Sequence, residues 1–209
     1  MQEVKIKIEN IELNGLLTIP KNAKAIILFA HGSGSSRLSP RNQFVSKILN
    51  KNGFATLLID LLTSNEEAID DKTGELRFDI EFLAKRLISI TNWLKLNYNY
   101  LKIGYFGAST GAAAALIASS QNKIPFAIVS RGGRPDLALS FLKGVESPTL
   151  LIVGGNDFEV IEMNKKAFVK LKTKKKLEIV SGASHLFEEE GTLEKVSSLA
   201  INWFKDNLK

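Results

Sequence analysis

The chain opens with two short segments in which apolar and polar residues alternate. Every second residue of Glu3–Glu9 is apolar, and a turn at Asn10 separates this segment from a second strand-like run, Ile11–Ile19, which Pro20 ends. Strict alternation is typical of a strand with one face buried. We therefore predict an antiparallel hairpin at the edge of a sheet.

From Lys24 onward, apolar strand-like runs alternate with amphipathic helical segments. The predicted strands are Lys24–Ala30, Phe54–Asp60, a strand opening at Leu101, Ile124–Ser130, Thr149–Val153 and Lys176–Val180. The predicted helices run from Pro40 to about Asn50, from about Arg77 to Leu96, through the alanines 112–115, from about Val160 to Leu171, and through Leu193–Trp203. This alternation predicts an α/β fold with a doubly wound, mostly parallel sheet and helices on both faces.

One segment between these elements has no clear period. Leu61–Glu75 is acidic and is predicted to be a loop, which either forms a wall of a pocket or is mobile. The lengths of the other segments leave little room for a cap domain. We expect residues 1–209 to form a single domain.

Composition excludes several classes of protein. The chain has 209 residues, of which 44% are hydrophobic and 24% charged, as in ordinary globular proteins. The absence of cysteine excludes disulfides, thiolate metal sites and a cysteine nucleophile, and it fits a cytoplasmic protein. The first ten residues contain no apolar signal-peptide core, and no apolar run approaches the roughly 18 residues of a membrane span. We expect no membrane partner and no metal or other cofactor.

The net charge of +6 comes largely from lysines clustered between positions 170 and 176. No aromatic residues interleave these lysines, so we interpret them as a solvated loop and expect no nucleic-acid partner. A nucleotide-binding function also fails, because Gly32–Arg37 lacks the third glycine of G-x-G-x-x-G and no G-K-[ST] occurs.

The most informative stretch is Gly107-Ala-Ser-Thr-Gly111, which matches G-x-S-x-G. This motif is known as the nucleophile elbow, a sharp turn that joins a strand to a helix and exposes a reactive serine. A β-forming run precedes the motif and an alanine-rich helix follows it, as the motif requires. Ser109 is therefore the candidate nucleophile.

Two further residues, Asp157 and His185, complete a candidate catalytic triad in the chain order Ser, Asp, His. Asp157 and His185 each follow a predicted strand, so both should lie with Ser109 at the carboxyl ends of the strands. Histidine can remove the serine proton, and a carboxylate behind it orients the ring. Asp60 and Asp136 also lie near strand ends and are rivals of Asp157; Asp136 is alternatively a helix cap. The second histidine, His31, is interpreted as a residue that shapes its own loop.

The remaining site predictions concern substrate and transition state. The backbone N–H groups of Ser33 and Thr110 are the candidate oxyanion-hole donors. Arg131 and Arg134 follow another strand and are candidate ligands of a carboxylate or phosphate; the alternative is an ion pair with Asp136 or Asp157.

His31-Gly-Ser-Gly-Ser-Ser, Gly107-Ala-Ser-Thr-Gly, Gly155-Asn-Asp and Ser184-His185 together resemble the α/β-hydrolase superfamily, and the small uncapped layout is similar to its dienelactone hydrolase-like branch. The resemblance covers nearly the whole chain. Dienelactone hydrolases proper use a cysteine nucleophile, whereas this chain has Ser109 there. The resemblance implies a serine hydrolase acting on a small-molecule ester, thioester or lactone. We expect it to be a monomer or homodimer. The alternative is a non-catalytic binding or scaffold protein on the same fold.

Overall fold

The computed structural model describes residues 1–209 and contains one sheet of eight strands. The strands are β1 (Gln2–Ile8), β2 (Ile11–Thr18), β3 (Ala25–Ala30), β4 (Ala55–Ile59), β5 (Lys102–Ala108), β6 (Ile128–Arg131), β7 (Thr149–Gly154) and β8 (Lys175–Val180). Their order in the sheet is β1-β2-β4-β3-β5-β6-β7-β8. The strand that carries the serine motif, β5, therefore lies in the interior of the sheet.

The pairing confirms the predicted topology. β1 and β2 form an antiparallel hairpin, and β2 joins β4 in antiparallel register. Every other pair of neighbours is parallel. The central strands β3, β4 and β7 are buried along their whole length, as expected of strands covered on both faces.

Helices cover both faces of the sheet. They are α1 (Pro40–Lys51), α2 (Ser64–Thr73), α3 (Ile80–Asn97), α4 (Thr110–Asn122), α5 (Phe158–Lys170) and α6 (Thr192–Asn207). The larger buried cluster contains side chains of α3, α4 and α5, and the second contains side chains of α1 and α6. No cap domain covers the sheet. None of the helices combines the length and the apolar composition of a membrane span.

The prediction of a loop over Leu61–Glu75 is wrong, because this segment contains α2. The helix has a capping box: the Thr63 hydroxyl accepts the Glu66 N–H, and the Glu66 carboxylate accepts the Thr63 N–H. Gly74 ends it in the left-handed conformation. Such end signals form a helix without an apolar stripe. Only one of its ten residues, Asp70, is buried, which explains why no period was visible.

Two elements begin three or more residues later than predicted. β6 begins at Ile128, where pairing with β5 starts, rather than at Ile124. Pro125 lacks an N–H for the ladder, so a regular ladder does not extend back through this residue to Ile124. The helix α3 begins at Ile80 rather than near Arg77, because the Asp79 side chain accepts the Phe82 N–H and caps the helix.

Candidate active site

Ser109 lies between β5 and α4 in a strained backbone conformation. Its φ is 49° and its ψ is −122°, a region that side chains rarely occupy. Gly111 makes the turn possible, because a Cβ there would overlap the carbonyl oxygens of Ala30 and His31. A Cβ on Gly107 would likewise overlap the backbone of Ala112. The turn thus places Ser109 immediately before the first residue of α4, at the positive end of that helix.

Asp157 and His185 meet at the same edge of the sheet. Asp157 follows β7 and directly precedes α5, and His185 lies in the loop between β8 and α6. The Nδ1 of His185 and the Oδ2 of Asp157 are 2.6 Å apart. The Asp157 side chain is 15% exposed and that of His185 is 37% exposed. The carboxylate is therefore the more enclosed of the two, and it orients the ring through its Nδ1 edge.

The two rival carboxylates have other partners. Asp60 accepts hydrogen bonds from the backbone and guanidinium of Arg37. Asp136 is held by Arg134 through two hydrogen bonds of 2.9 and 2.8 Å. The interpretation of Asp136 as a helix cap is wrong, because it lies within a short 3₁₀ turn and caps nothing.

Ser109 and His185 line one cavity of about 210 Å³. No hydrogen bond joins their side chains, and the Ser109 hydroxyl has no partner in the structure. In enzymes without bound substrate such bonds are often long and tighten when substrate binds. The arrangement therefore brings an alcohol and an imidazole to one cavity, with the Asp157 carboxylate bonded to the imidazole from outside the lining, and it does not link the alcohol to the imidazole.

The loop after β3 lies directly against the serine turn. The Ser33 N–H donates to the Thr110 hydroxyl at 2.8 Å, so this predicted donor already has an acceptor. The Thr110 N–H is the first of α4 and has no acceptor. A Cβ on Gly32 would lie 3.0 Å from the Ser109 Cβ, which shows how closely the loop approaches.

His31 orders this loop through both of its ring nitrogens. Nδ1 donates to the Gly32 carbonyl at 2.9 Å, and Nε2 accepts the Leu61 N–H at 3.2 Å. The ring is therefore neutral, and removal from water lowers its pKa below 6.5 despite the Gly32 carbonyl and Asp60 nearby. The interpretation of His31 as a loop-shaping residue agrees with these contacts.

This lowered pKa predicts a loss of stability in acid. As the pH falls below about 6.5, the unfolded chain binds the proton before the folded protein does, so the free energy of unfolding decreases. In urea titrations, His31→Gln should be destabilised relative to the wild type by more at pH 7.5 than at pH 5. An equal difference at the two pH values would contradict the neutral, doubly bonded ring.

The two candidate substrate-binding arginines differ in their surroundings. Arg134 forms the ion pair with Asp136 and does not line the cavity of Ser109. Arg131 lines that cavity, is 6% exposed and has no carboxylate partner. Its guanidinium donates to the Asn42 Oδ1 at 3.1 Å and to the Leu186 carbonyl at 3.5 Å.

Sequence reasoning missed three residues of the site. Arg41 and Asn42, in the first turn of α1, line the cavity. Phe187 is fully buried, has a φ of 57°, and lies 5.9 Å from the Arg131 guanidinium. Arg41 and Asn42 could have been found from Ser39-Pro40, a helix-start signal just after the loop of β3. No local signal marks Phe187, because its strain depends on the tertiary packing of the His185 loop.

A second cavity, of about 180 Å³, is also lined by the loop after β3. Gly32 and Ser33 line both cavities. Residues of the Leu61–Glu75 segment, including Glu67 and Asp70, line the second one. The segment therefore forms a wall of this neighbouring cavity and not of the cavity that contains Ser109.

The mixed sheet, the flanking helices and the serine on the sharp turn after an interior strand define the α/β-hydrolase fold. A sequence model of the dienelactone hydrolase family matches residues 13–206. The chain therefore belongs to the dienelactone hydrolase family.

Individual relatives extend this assignment. The crystal structure of a dienelactone hydrolase from Anabaena variabilis is 54% identical, has a TM-score of 0.97, and is matched over 100% of this chain and 99% of that one. Est1E from Butyrivibrio proteoclasticus, at 16% identity and a TM-score of 0.80, shares the fold over 99% of this chain and 98% of that one. A Mycobacterium tuberculosis protein named "Putative phosphoribosyl transferase" is 50% identical over 99% of this chain but only 46% of its own length. This chain thus spans about half of that relative.

Proposed function

We propose that this protein is a serine hydrolase that cleaves a small carboxylic ester, thioester or lactone through an acyl-enzyme. The observation that carries the proposal is the 2.6 Å contact between His185 Nδ1 and Asp157 Oδ2, in a loop whose histidine shares a cavity with Ser109. The Anabaena variabilis relative is named a dienelactone hydrolase, which supports hydrolysis of a lactone or related ester.

In the proposed reaction, the Ser109 Oγ attacks the carbonyl carbon and its proton passes to the Nε2 of His185. Asp157 accepts the Nδ1–H and stabilises the positive ring. The carbonyl oxygen becomes negative and accepts a hydrogen bond from the free Thr110 N–H. The Ser33 N–H donates a second one after it releases the Thr110 hydroxyl. The leaving alcohol or thiol takes the proton from His185. Water then attacks the acyl-enzyme, with His185 as base, and releases the acid and Ser109.

The name of the Mycobacterium tuberculosis relative describes a protein about twice as long as this chain. The dienelactone hydrolase model covers nearly all of this chain, from residue 13 to residue 206. We therefore assign the transferase in that name to the part of the relative that this chain does not match. The proposed activity of this chain is hydrolysis.

The proposal is tested by hydrolysis of p-nitrophenyl esters, aryl thioesters and small lactones. Wild-type protein should hydrolyse at least one class, and Ser109→Ala should lower kcat by about 10⁶. Ser120→Ala is the matched control, because Ser120 lies on α4 and its hydroxyl only bonds the Ile117 carbonyl. If Ser109→Ala keeps wild-type rates, the proposal is wrong. If the folded wild type hydrolyses no substrate and only binds one, the alternative of a binding or scaffold protein is favoured.

A further inference from the structure

The cavity that contains Ser109 is positively charged. Eleven residues line it, and they include two arginines, four serines and one asparagine but no carboxylate. Only Ala108 and Leu186 are apolar among them. A pocket for a purely aliphatic ester would need more apolar surface than this, because ligand pockets are usually lined mainly by hydrophobic side chains. The lining therefore favours a substrate with a polar, negatively charged group.

Arg131 is the most unusual member of this lining. Its guanidinium has five N–H donors, of which Asn42 and Leu186 accept two, and its buried Nε has no partner. Burial, together with the nearby charge of Arg41, lowers the pKa of Arg131 to about 10, so the side chain is still charged at neutral pH. A buried charge without a counter-charge is costly, and such charges are generally paired. The missing partner can be supplied by a ligand.

The first turn of α1 points to the same ligand chemistry. This helix has 12 residues, and its start at Ser39, Arg41 and Asn42 lines the cavity. The Arg41 N–H has no acceptor, while the Ser39 hydroxyl already accepts the Asn42 N–H. This one free N–H and the helix dipole favour an anion at this position. The Arg41 guanidinium adds a second charge and is balanced only by Glu188, which is 62% exposed.

We propose that Arg131, Arg41 and the N-terminus of α1 form a phosphate subsite beside Ser109, so that the natural substrate is an ester that also carries a phosphate group. This inference rests on the proposed function, because it names the substrate class of the same site. A phosphate offers three acceptor oxygens to donors that arrive from two guanidinium groups and a helix end. A carboxylate offers two oxygens in one plane and uses fewer of these donors.

The experiment measures binding of inorganic phosphate to the whole protein by isothermal titration calorimetry. Ionic strength is held constant with sodium chloride, and sodium acetate is titrated in parallel. Wild type should bind one phosphate with saturation and prefer it to acetate. Arg131→Gln should weaken phosphate binding by about tenfold or more, since a charge-assisted bond is lost. Arg41→Gln should weaken phosphate binding severalfold. This second variant tests the subsite if Arg131→Gln does not fold.

Lys123→Gln is the matched control, because it removes one positive charge at the far end of α4, where Lys123 is 52% exposed and pairs with Glu146. It should bind phosphate as the wild type does. The proposal is overturned if wild type shows no saturable binding, if acetate binds as tightly as phosphate, or if both arginine variants bind phosphate unchanged. Failure of the proposed function would give a different result from failure of the phosphate subsite: phosphate would bind, but Ser109→Ala would have no effect on hydrolysis.

Discussion

Replacement of His185 by alanine is expected to lower kcat for ester hydrolysis by about 10⁶, as loss of the histidine does in a well-studied serine protease. The Ser109 hydroxyl is a poor nucleophile until a base removes its proton, and no other histidine reaches its cavity. The second histidine, His31, uses both ring nitrogens in its own loop. The measurement is kcat and KM of purified variants on the best ester, with circular dichroism to verify folding.

Two further variants make this result specific. Asp157→Asn should retain the ring but lose its negative partner, with a fall in kcat of about 10⁴. Ser184→Ala changes the residue next to His185 but keeps the main-chain N–H of residue 184, which donates to the Glu189 carboxylate, and should leave kcat nearly unchanged. Hydrolysis by folded His185→Ala at the wild-type rate would show that another group acts as the base.

Gly111→Ala is expected to have the largest effect on folding. The new methyl group would overlap the carbonyl oxygens of Ala30 and His31, which are backbone atoms at the end of an interior strand and cannot rotate away. Relief would require movement of β3 or of the serine turn. We expect destabilisation of roughly 4 kcal/mol or more, in the range reserved for severe steric and strain effects. Urea unfolding followed by circular dichroism measures the change.

Gly144→Ala is the matched control for this substitution. A Cβ there would lie 3.4 Å from its nearest neighbour, the Ser120 Cβ, which is ordinary contact. Gly144 also lies in a short 3₁₀ turn rather than in the serine turn. Its unfolding midpoint should therefore stay close to that of the wild type. Equal stability of the Gly111 and Gly144 variants would contradict the close packing of the turn against β3.

Most of the fold could be predicted because the strands and four of the helices have clear hydrophobic patterns in the sequence. Buried parallel strands are continuous apolar runs, and α1, α3, α5 and α6 carry an apolar stripe. The exception is α2, which is held by its caps at Thr63 and Gly74 and buries almost nothing, so hydrophobic periodicity could not find it. The start of β6 was also misplaced, because an apolar run does not reveal which residues pair with a neighbouring strand.

The candidate site also has features that the sequence could predict and features that it could not. Ser109, Asp157 and His185 follow strands, and a parallel sheet gathers strand ends at one edge, so their proximity could be expected from topology. The ion pair between Arg134 and Asp136 could not be predicted, because it depends on the conformation of the turn that contains both residues. The engagement of the Ser33 N–H by the Thr110 hydroxyl is likewise a tertiary contact, across 77 positions of sequence.

The most direct test of the account is the position of a covalent adduct after treatment with a fluorophosphonate. Such a reagent reacts with a serine that has been activated by a neighbouring base. Tryptic peptide mapping should find one adduct, on the peptide 103–123, and fragmentation should assign it to Ser109 rather than to Ser119 or Ser120. His185→Ala should prevent labelling. An active wild-type enzyme that carries the adduct at another residue, or carries none, would contradict the account.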